Sequence, residues 1–220
     1  MSPAKGANAG AETGGADDAI AFRLLQRDDL PLMFRWINTP HVARWWDAAP
    51  SLATVEAHYL PAILDPGPAQ CYVILHAGAS IGFIQTYLIA DHPEYAAAVQ
   101  VGPGAAGVDL FIGEPELVHR GLGPRLLRQF LREVVFARDE VACCVIGPAA
   151  SNRCAIRAYE KAGFRHLKTV TVPGEPEPEY LMELARAELL SGGRCGSNRR
   201  APATMASGGA ARRVRYVQGR

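Results

Sequence analysis

The chain has no run of 18 apolar residues, and its first residues lack a basic stretch leading into an apolar one, so neither a membrane-spanning helix nor a secretion leader is expected. A cytoplasmic protein is the expectation. Cysteine is sparse: Cys71, Cys143, Cys144, Cys154 and Cys195 form no C-x-x-C pair, and no histidine sits at zinc-ligand spacing from them. That excludes a zinc-ribbon reading, and no metal is expected; reduced, mostly buried thiols are the plain alternative. Internal repeats are absent, as is the GxxxxGK[ST] phosphate loop of ATP- and GTP-binding proteins.

Net charge is also small, +1 at pH 7, but it is unevenly spread. Seven of the 23 basic residues are arginines in 191–220, which carry no acid, so residues 1–190 hold 16 basic against 22 acidic residues and a net charge of −6. An acidic body argues against a nucleic-acid-binding domain and suits a cationic small molecule. Residues 191–220, rich in Gly, Ala and Arg, and residues 1–19, rich in Gly, Ala and Asp, show no apolar periodicity and are expected to be disordered. The tail is either passive or an arm for RNA or other phosphates, with Tyr216 its sole aromatic for stacking. Residues 20–190, in a chain that is 49% hydrophobic and 20% charged, fit one domain of ordinary size.

What is present centres on VHRGLGPRLLRQFLREVVF, Val118 to Phe136. Gly121 and Gly123 let the backbone bend and approach a ligand, and the free N–H groups of the following helix point outward with the positive end of its dipole. This is an anion cradle that fits a phosphate. Leu122, Leu126, Leu127, Phe130, Val134 and Val135 recur at helical spacing, Arg125, Arg128, Arg132 and Glu133 take the other face, and Pro124 suits the first turn. The third glycine of a dinucleotide fingerprint is replaced by Leu126.

Elsewhere the pattern predicts a strand at Phe22–Leu25, then a helix capped by Asp28 or Asp29 with Leu30, Met33, Phe34 and Ile37 buried. A second helix starts near Ser51, with Leu52, Val55, Tyr59 and Ile63 on one side and Pro61 bending it. Between them, HVARWWDAAP reads as a loop, in which Trp45 and Trp46 either line a cavity or cap the core. CYVILH and SIGFIQTYLIA read as a hairpin, Asp91 to Ala106 as a long lip, and GVDLFI and VACCVIG as further strands. Asn152 caps a helix with Ile156 and Tyr159 facing inward and Gly163 ending it, and FRHLKTVTV and PEYLMELARAEL close the fold. The order predicts a mixed α/β (α+β) domain, a mixed sheet with helices on both faces.

A G-x-G after the strand GVDLFI, followed about 30 residues on by SNRCAIRAYEKAGF, resembles the GNAT superfamily of N-acetyltransferases, and within it the aminoglycoside 6'-N-acetyltransferases, over roughly Phe22 to Arg186. The resemblance implies a mostly antiparallel central sheet, acetyl-CoA as co-substrate and a small-molecule amine as acceptor, without nucleic acid or membrane, in a monomer or weak homodimer. It implies that the amides of Arg120, Gly121, Leu122, Gly123 and Arg125 hold the pyrophosphate, that His119 and Arg120 neutralise its charge, that Phe111 and Ile112 pair their backbone with the pantetheine arm, and that Asn152 adds a side-chain bond. Asp109, an acid among apolar neighbours, matches the family's general base; the alternative is a structural carboxylate. Tyr159 matches the acid for the departing thiolate; the alternative is an aromatic packed on the sheet. Trp46, Tyr59, Gln85 and Asp109 match acceptor-lining positions.

Two departures from the family stand out. Val118 lies three residues before the first glycine, where Gln or Arg is frequent, and Gly147 stands where an aspartate often precedes the proline. Asp47, Glu94, Glu177 and Glu179 are then the acids available to a polycation. The other readings are a different acceptor, such as a siderophore hydroxamate precursor or a protein amine, and a non-catalytic CoA-binding domain.

Overall fold

The computed structural model describes residues 18–191 apart from 66 and 68. The expected disorder of 1–19 and 191–220 therefore falls, but for positions 18, 19 and 191, outside the described residues, as does Cys195. Among the described residues seven strands form one sheet: β1 (Ile20–Leu24), β2 (Ala69–His76), β3 (Ala79–Leu88), β4 (Ala105–Ile112), β5 (Cys143–Ile146), β6 (Arg165–Val170) and β7 (Glu179–Ala185). Their order is β1-β2-β3-β4-β5-β7-β6, and every pairing is antiparallel except β4 with β5. The β2–β3 hairpin turns through Ala77 and Gly78, both at positive φ, the backbone twist that matches two antiparallel strands.

Helices cover both faces because β3 and β4 are apolar on both. On one face, Val73, Phe83 and Phe111 meet α1 (Leu30–Ile37), α2 (Pro40–Ala43) and α3 (Leu52–Leu64). The segment from 91 to 106, expected to be a plain lip, contains α4 (Pro93–Val99), whose Tyr95 and Val99 pack with Tyr87, Val145 and Leu181. On the other face, Ile74, Ile84, Ala106 and Val108 meet α5 (Leu122–Phe130) and α6 (Arg153–Ala162), and α7 (Arg186–Leu190) ends the described fold. Burial of each such Leu, Ile or Phe side chain contributes about 1.5–3 kcal/mol. Among the described residues no helix is long and apolar enough to cross a membrane, and no cluster of His, Cys, Asp or Glu is arranged to hold a metal ion.

Several local expectations are corrected. Trp36, not Phe34, completes the buried stripe of α1, because its indole N–H donates to Glu114 at 2.8 Å and its ring meets Phe111 edge-on. The chain after α5 continues as a π-turn, Leu131–Val135, whose extra residue per turn brings Leu131 fully inward and leaves Val134 half-buried at the edge of the same cluster. Part of the Trp-containing loop is α2, started by Pro40.

Asp29 does not cap α1 with its side chain. It closes the 3₁₀ turn Arg27–Asp29, accepting from the Gln26 amide at 2.9 Å and from both Arg23 guanidinium nitrogens at 2.6 and 2.7 Å. Burial pushes its carboxyl upward, but the bonds from Arg23 and Gln26 outweigh that and hold it below its ordinary value. Its stabilising charge is therefore present above the unfolded-state pKa near 4 and lost as the pH falls through the folded value. Asp29→Asn is expected to destabilise the fold by about 1–2 kcal/mol at pH 7, and thermal melts of the two proteins should converge as the pH drops below about 4.

Candidate active site

Strands β4 and β5 pair over only three positions, Ala105 with Cys143, Ala106 with Cys144 and Gly107 with Val145. Beyond that β4 runs on to Ile112, while the chain after Ile146 turns towards β7: the Tyr180 amide donates to the Pro148 carbonyl at 2.9 Å, and Ala149 bridges to Glu179. A cleft opens between the diverging strands, and Asp109, Leu110, Ile146 and Gly147 are among its walls. Backbone bonds alternate along β4. Gly113 donates to Ile81 of the β3 side, and the Gly104 carbonyl accepts from Ala142 of the β5 side, so the peptide groups of Leu110 and Ile112 face the open edge. Phe111 therefore turns its peptide groups to β3, a correction to its expected backbone role, and the groups facing the gap beside those of Ile112 are those of Leu110. The Ile112 carbonyl accepts from His41 Nε2 of α2 at 2.9 Å.

The C-terminal end of β4 leads into the glycine turn. His119 and Gly121 both adopt positive φ, 64° and 78°, and α5 starts at Leu122, its first-turn N–H groups lacking intrahelical partners. A Cβ added at Gly123 would meet only Ala158 Cβ, at an ordinary 3.8 Å, so packing leaves room for a side chain that a close-lying anion would not. His119 and Arg120 are exposed at this turn, the His119 Nδ1 lying 3.3 Å from Cys154 Sγ. The Arg125 side chain is turned away to Asp18 at 2.7 Å, which leaves only its amide for the cradle. Leu122 is buried, with its amide in the first turn.

Asp109 is 4% exposed, at the end of a row that crosses three strands on the α1–α3 face. Cys71, Gln85 and Asp109 are register partners across β2, β3 and β4. The Cys71 thiol points to Gln85 Oε1 at 3.8 Å, and Gln85 Nε2 donates to Asp109 Oδ2 at 3.1 Å. Behind them Tyr59, on α3, is fully buried against Phe83. Burial drives the Tyr59 phenol far above its ordinary range and the Cys71 thiol up to about 12, so both stay neutral behind Asp109 at physiological pH.

The cleft brings together four of the residues picked from the sequence: Trp46, Asp109, Asn152 and Tyr159. Trp46 packs edge-on to Phe83 and Phe111, and Asn152 caps α6 by accepting from the Ala155 amide at 3.1 Å. Tyr59 and Gln85 do not line it. Both are completely buried, a correction to their expected contact with the acceptor: Gln85 donates to Asp109 from behind, and Tyr59 packs against Phe83. Trp45, named with Trp46 as a residue that lines a cavity or caps the core, and Gly147, singled out as a departure from the family, both line the cleft, while sequence reasoning missed Leu110, Ile146, Pro148 and Ala149. Nothing local marks these as a wall, because that depends on where β5 leaves β4.

The chain belongs to the acetyltransferase (GNAT) domain family, whose pattern matches residues 26–172. It is 34% identical over 175 residues to the "Aminoglycoside N(6')-acetyltransferase type 1" of Klebsiella pneumoniae, covering 78% of this chain and 86% of that protein. It is 26% identical over 151 residues to the "Lysine N-acyltransferase MbtK" of Mycolicibacterium paratuberculosis, covering 69% and 67% respectively. Among solved structures it is similar to the aminoglycoside acetyltransferase AAC(6')-Ib in complex with coenzyme A and kanamycin, with a TM-score of 0.67 and 32% identity over 79% of this chain and 99% of that one. The mixed, mostly antiparallel sheet is that of the family.

If the glycine turn holds a pyrophosphate, Gly123→Val should leave the melting temperature nearly unchanged, since the fold has room for the side chain, yet raise the Kd for coenzyme A at least 100-fold. Isothermal titration calorimetry on the folded variant checks this, and unchanged affinity rules the cradle out.

Proposed function

We propose that the protein is an acetyl-CoA-dependent N-acetyltransferase that acetylates the 6'-amine of aminoglycosides. The observation that carries this reading is a buried carboxylate, Asp109, opening onto the same cleft as Tyr159, beside the stretch of β4 that β5 does not pair and a helix N-terminus able to receive an anion. The unit responsible is residues 20–190, acting in the cytoplasm as a monomer or weak homodimer. Likeness to AAC(6')-Ib, crystallised with kanamycin and with paromomycin and acetyl-CoA, supports the acceptor class.

The roles follow from the groups present. The peptide groups of Leu110 and Ile112 suit the amides of a pantetheine arm, and the amides from Arg120 to Arg125 suit the pyrophosphate, with the His119 and Arg120 side chains exposed beside them. Asn152 holds the first turn of α6 at the cleft. Bound acetyl-CoA supplies an activated acetyl thioester. An acceptor ammonium has a pKa of about 10 and must shed a proton before its nitrogen can form the new C–N bond. Asp109 takes that proton, held in line by Gln85. As the C–S bond breaks, the Tyr159 hydroxyl donates a proton to the departing thiolate; an ordinary phenol is protonated at neutral pH and able to do so. Trp45 and Trp46 present apolar ring surface against which a sugar stacks.

Likeness to a lysine N-acyltransferase makes a lysine-type side-chain amine the second acceptor class to test. Thiol release from acetyl-CoA is expected with kanamycin and ribostamycin and little with lysine derivatives. Release only with lysine derivatives would replace the acceptor, and release with no amine would leave a CoA-binding domain. Asp109→Asn keeps size and the bond from Gln85 but removes the base. It should lower kcat with the best amine by roughly 100-fold or more while preserving coenzyme A affinity, and the remaining activity should rise with pH as solvent supplies neutral amine. Near-normal kcat at neutral pH in the folded variant would remove Asp109 from the chemistry.

A further inference from the structure

Gly147 stands where β5 leaves the sheet, in the cleft wall. A Cβ placed there would lie 2.1 Å from Glu179 Oε2 and 3.3 Å from the Tyr95 hydroxyl. The volume that a side chain at 147 would enter is thus filled by a carboxylate reaching across from the first residue of β7. Glu179 is 1% exposed and accepts from the Tyr95 hydroxyl of α4 at 3.0 Å. Its backbone is fastened to the same wall by the bridge to Ala149, by the Tyr180 bond to Pro148, and by the Ala150 amide donating to the Pro178 carbonyl at 2.9 Å. The backbone that carries the carboxylate is therefore tied to the cleft wall, and the Tyr95 hydroxyl holds the carboxylate itself.

The other acids do not share this placement. Glu177 accepts from the Ser151 amide and hydroxyl at 3.1 and 2.8 Å, and Asp47 and Glu94 are exposed, where water and salt screen them. A carboxylate packed behind a glycine acts on the cleft through protein rather than water, where charges interact more strongly. The amine that reacts must be neutral when it does so, and Asp109 serves that amine. A second ammonium on the same acceptor stays charged and is what a carboxylate elsewhere in the wall can attract.

We propose that Glu179 is a specificity-determining carboxylate of the cleft, seated from β7 in the space a side chain at 147 would take, and that it favours acceptors carrying several ammonium groups. This rests on the aminoglycoside reading above. In the full chain, Glu179→Gln keeps an acceptor for the Tyr95 hydroxyl and removes the charge. The ratio of kcat/KM for kanamycin to that for the single-amine sugar 6-amino-6-deoxyglucose is expected to fall about tenfold, the loss residing in the kanamycin KM. A role confined to packing predicts instead that both acceptors lose activity together, and an unchanged ratio overturns the proposal.

Should that variant fold poorly, the carboxylate can be moved rather than removed. Glu179→Ala vacates the space and should lose the preference for kanamycin, and Gly147→Asp added to it should restore the preference from β5. A folded double variant as indifferent as Glu179→Ala alone overturns the proposal. A wild-type enzyme that leaves kanamycin unacetylated overturns the aminoglycoside reading and this inference with it, an outcome distinct from an active wild type insensitive to Glu179.

Discussion

The constraint on which the site depends is the early parting of β4 and β5. Two parallel strands carry their C-terminal ends to the same edge of the sheet, and here each end is followed by a helix, α5 after β4 and α6 after β5. Both helix N-termini therefore arrive on one side of one gap. Had the pairing continued past Gly107 and Val145, the backbone of Leu110 and Ile112 would be satisfied by β5, and Asp109 would have no cleft to open onto. The parting is possible because β5 finds another partner at once: Ile146 pairs with Met182 of β7, and Pro148 accepts from Tyr180. The wedge is thus kept open by bonds on its far side, which satisfy backbone groups of Ile146, Pro148 and Ala150 at the β5 exit.

The same geometry makes a buried acid tolerable. A carboxylate taken out of water without hydrogen bonds is expensive, by several kcal/mol even after relaxation. Asp109 has the Gln85 amide on its inner side and the cleft on its outer side. Gln85 in turn is oriented by the Cys71 thiol, since one amide oxygen accepts while the amide nitrogen donates onward. The row runs across the strands because register partners in an antiparallel sheet point to the same face. Tyr59 and Trp46 then seal that face with ring contacts to Phe83, which excludes water from all but the open end. Asp109 faces solvent only where an acceptor would enter.

Much of this was legible in the residues and some was not, for identifiable reasons. The α5 stripe, the glycine turn, the Asn152 cap and the Gly163 stop are local, each set by spacing or by one backbone conformation, and they stand where the pattern put them. Register, by contrast, is a relation between distant segments. Whether Phe111 or Leu110 offers its peptide groups to the gap differs by one residue along β4, and no local feature of GVDLFI decides it. Burial is a relation of the same kind: Tyr59 and Gln85 match acceptor-lining positions of the family, yet α3 and β3 turn them onto a closed face. The choice of Trp36 over Phe34, and of Leu131 over Val134, required knowing that Glu114 waits for an indole N–H and that α5 widens into a π-turn.

Position 147 shows how far a substitution can mislead when read alone. A glycine in a cleft wall looks like the deletion of a functional side chain, and by sequence the wall there is neutral. In three dimensions a side chain at 147 and Glu179 would compete for one volume, and the glycine leaves that volume to the carboxylate. A Cβ at 147 would lie 2.1 Å from the Glu179 carboxylate, which would then have to leave its present place, so the two positions are linked across the wall. The link also reaches α4, because Tyr95 donates to the same carboxylate and is itself 3.3 Å from where the Cβ would be. The segment between β3 and β4 is thereby anchored to β5 and β7 through one buried group, so a change of charge at Glu179 acts at once on the cleft wall and on the helix packed beside it.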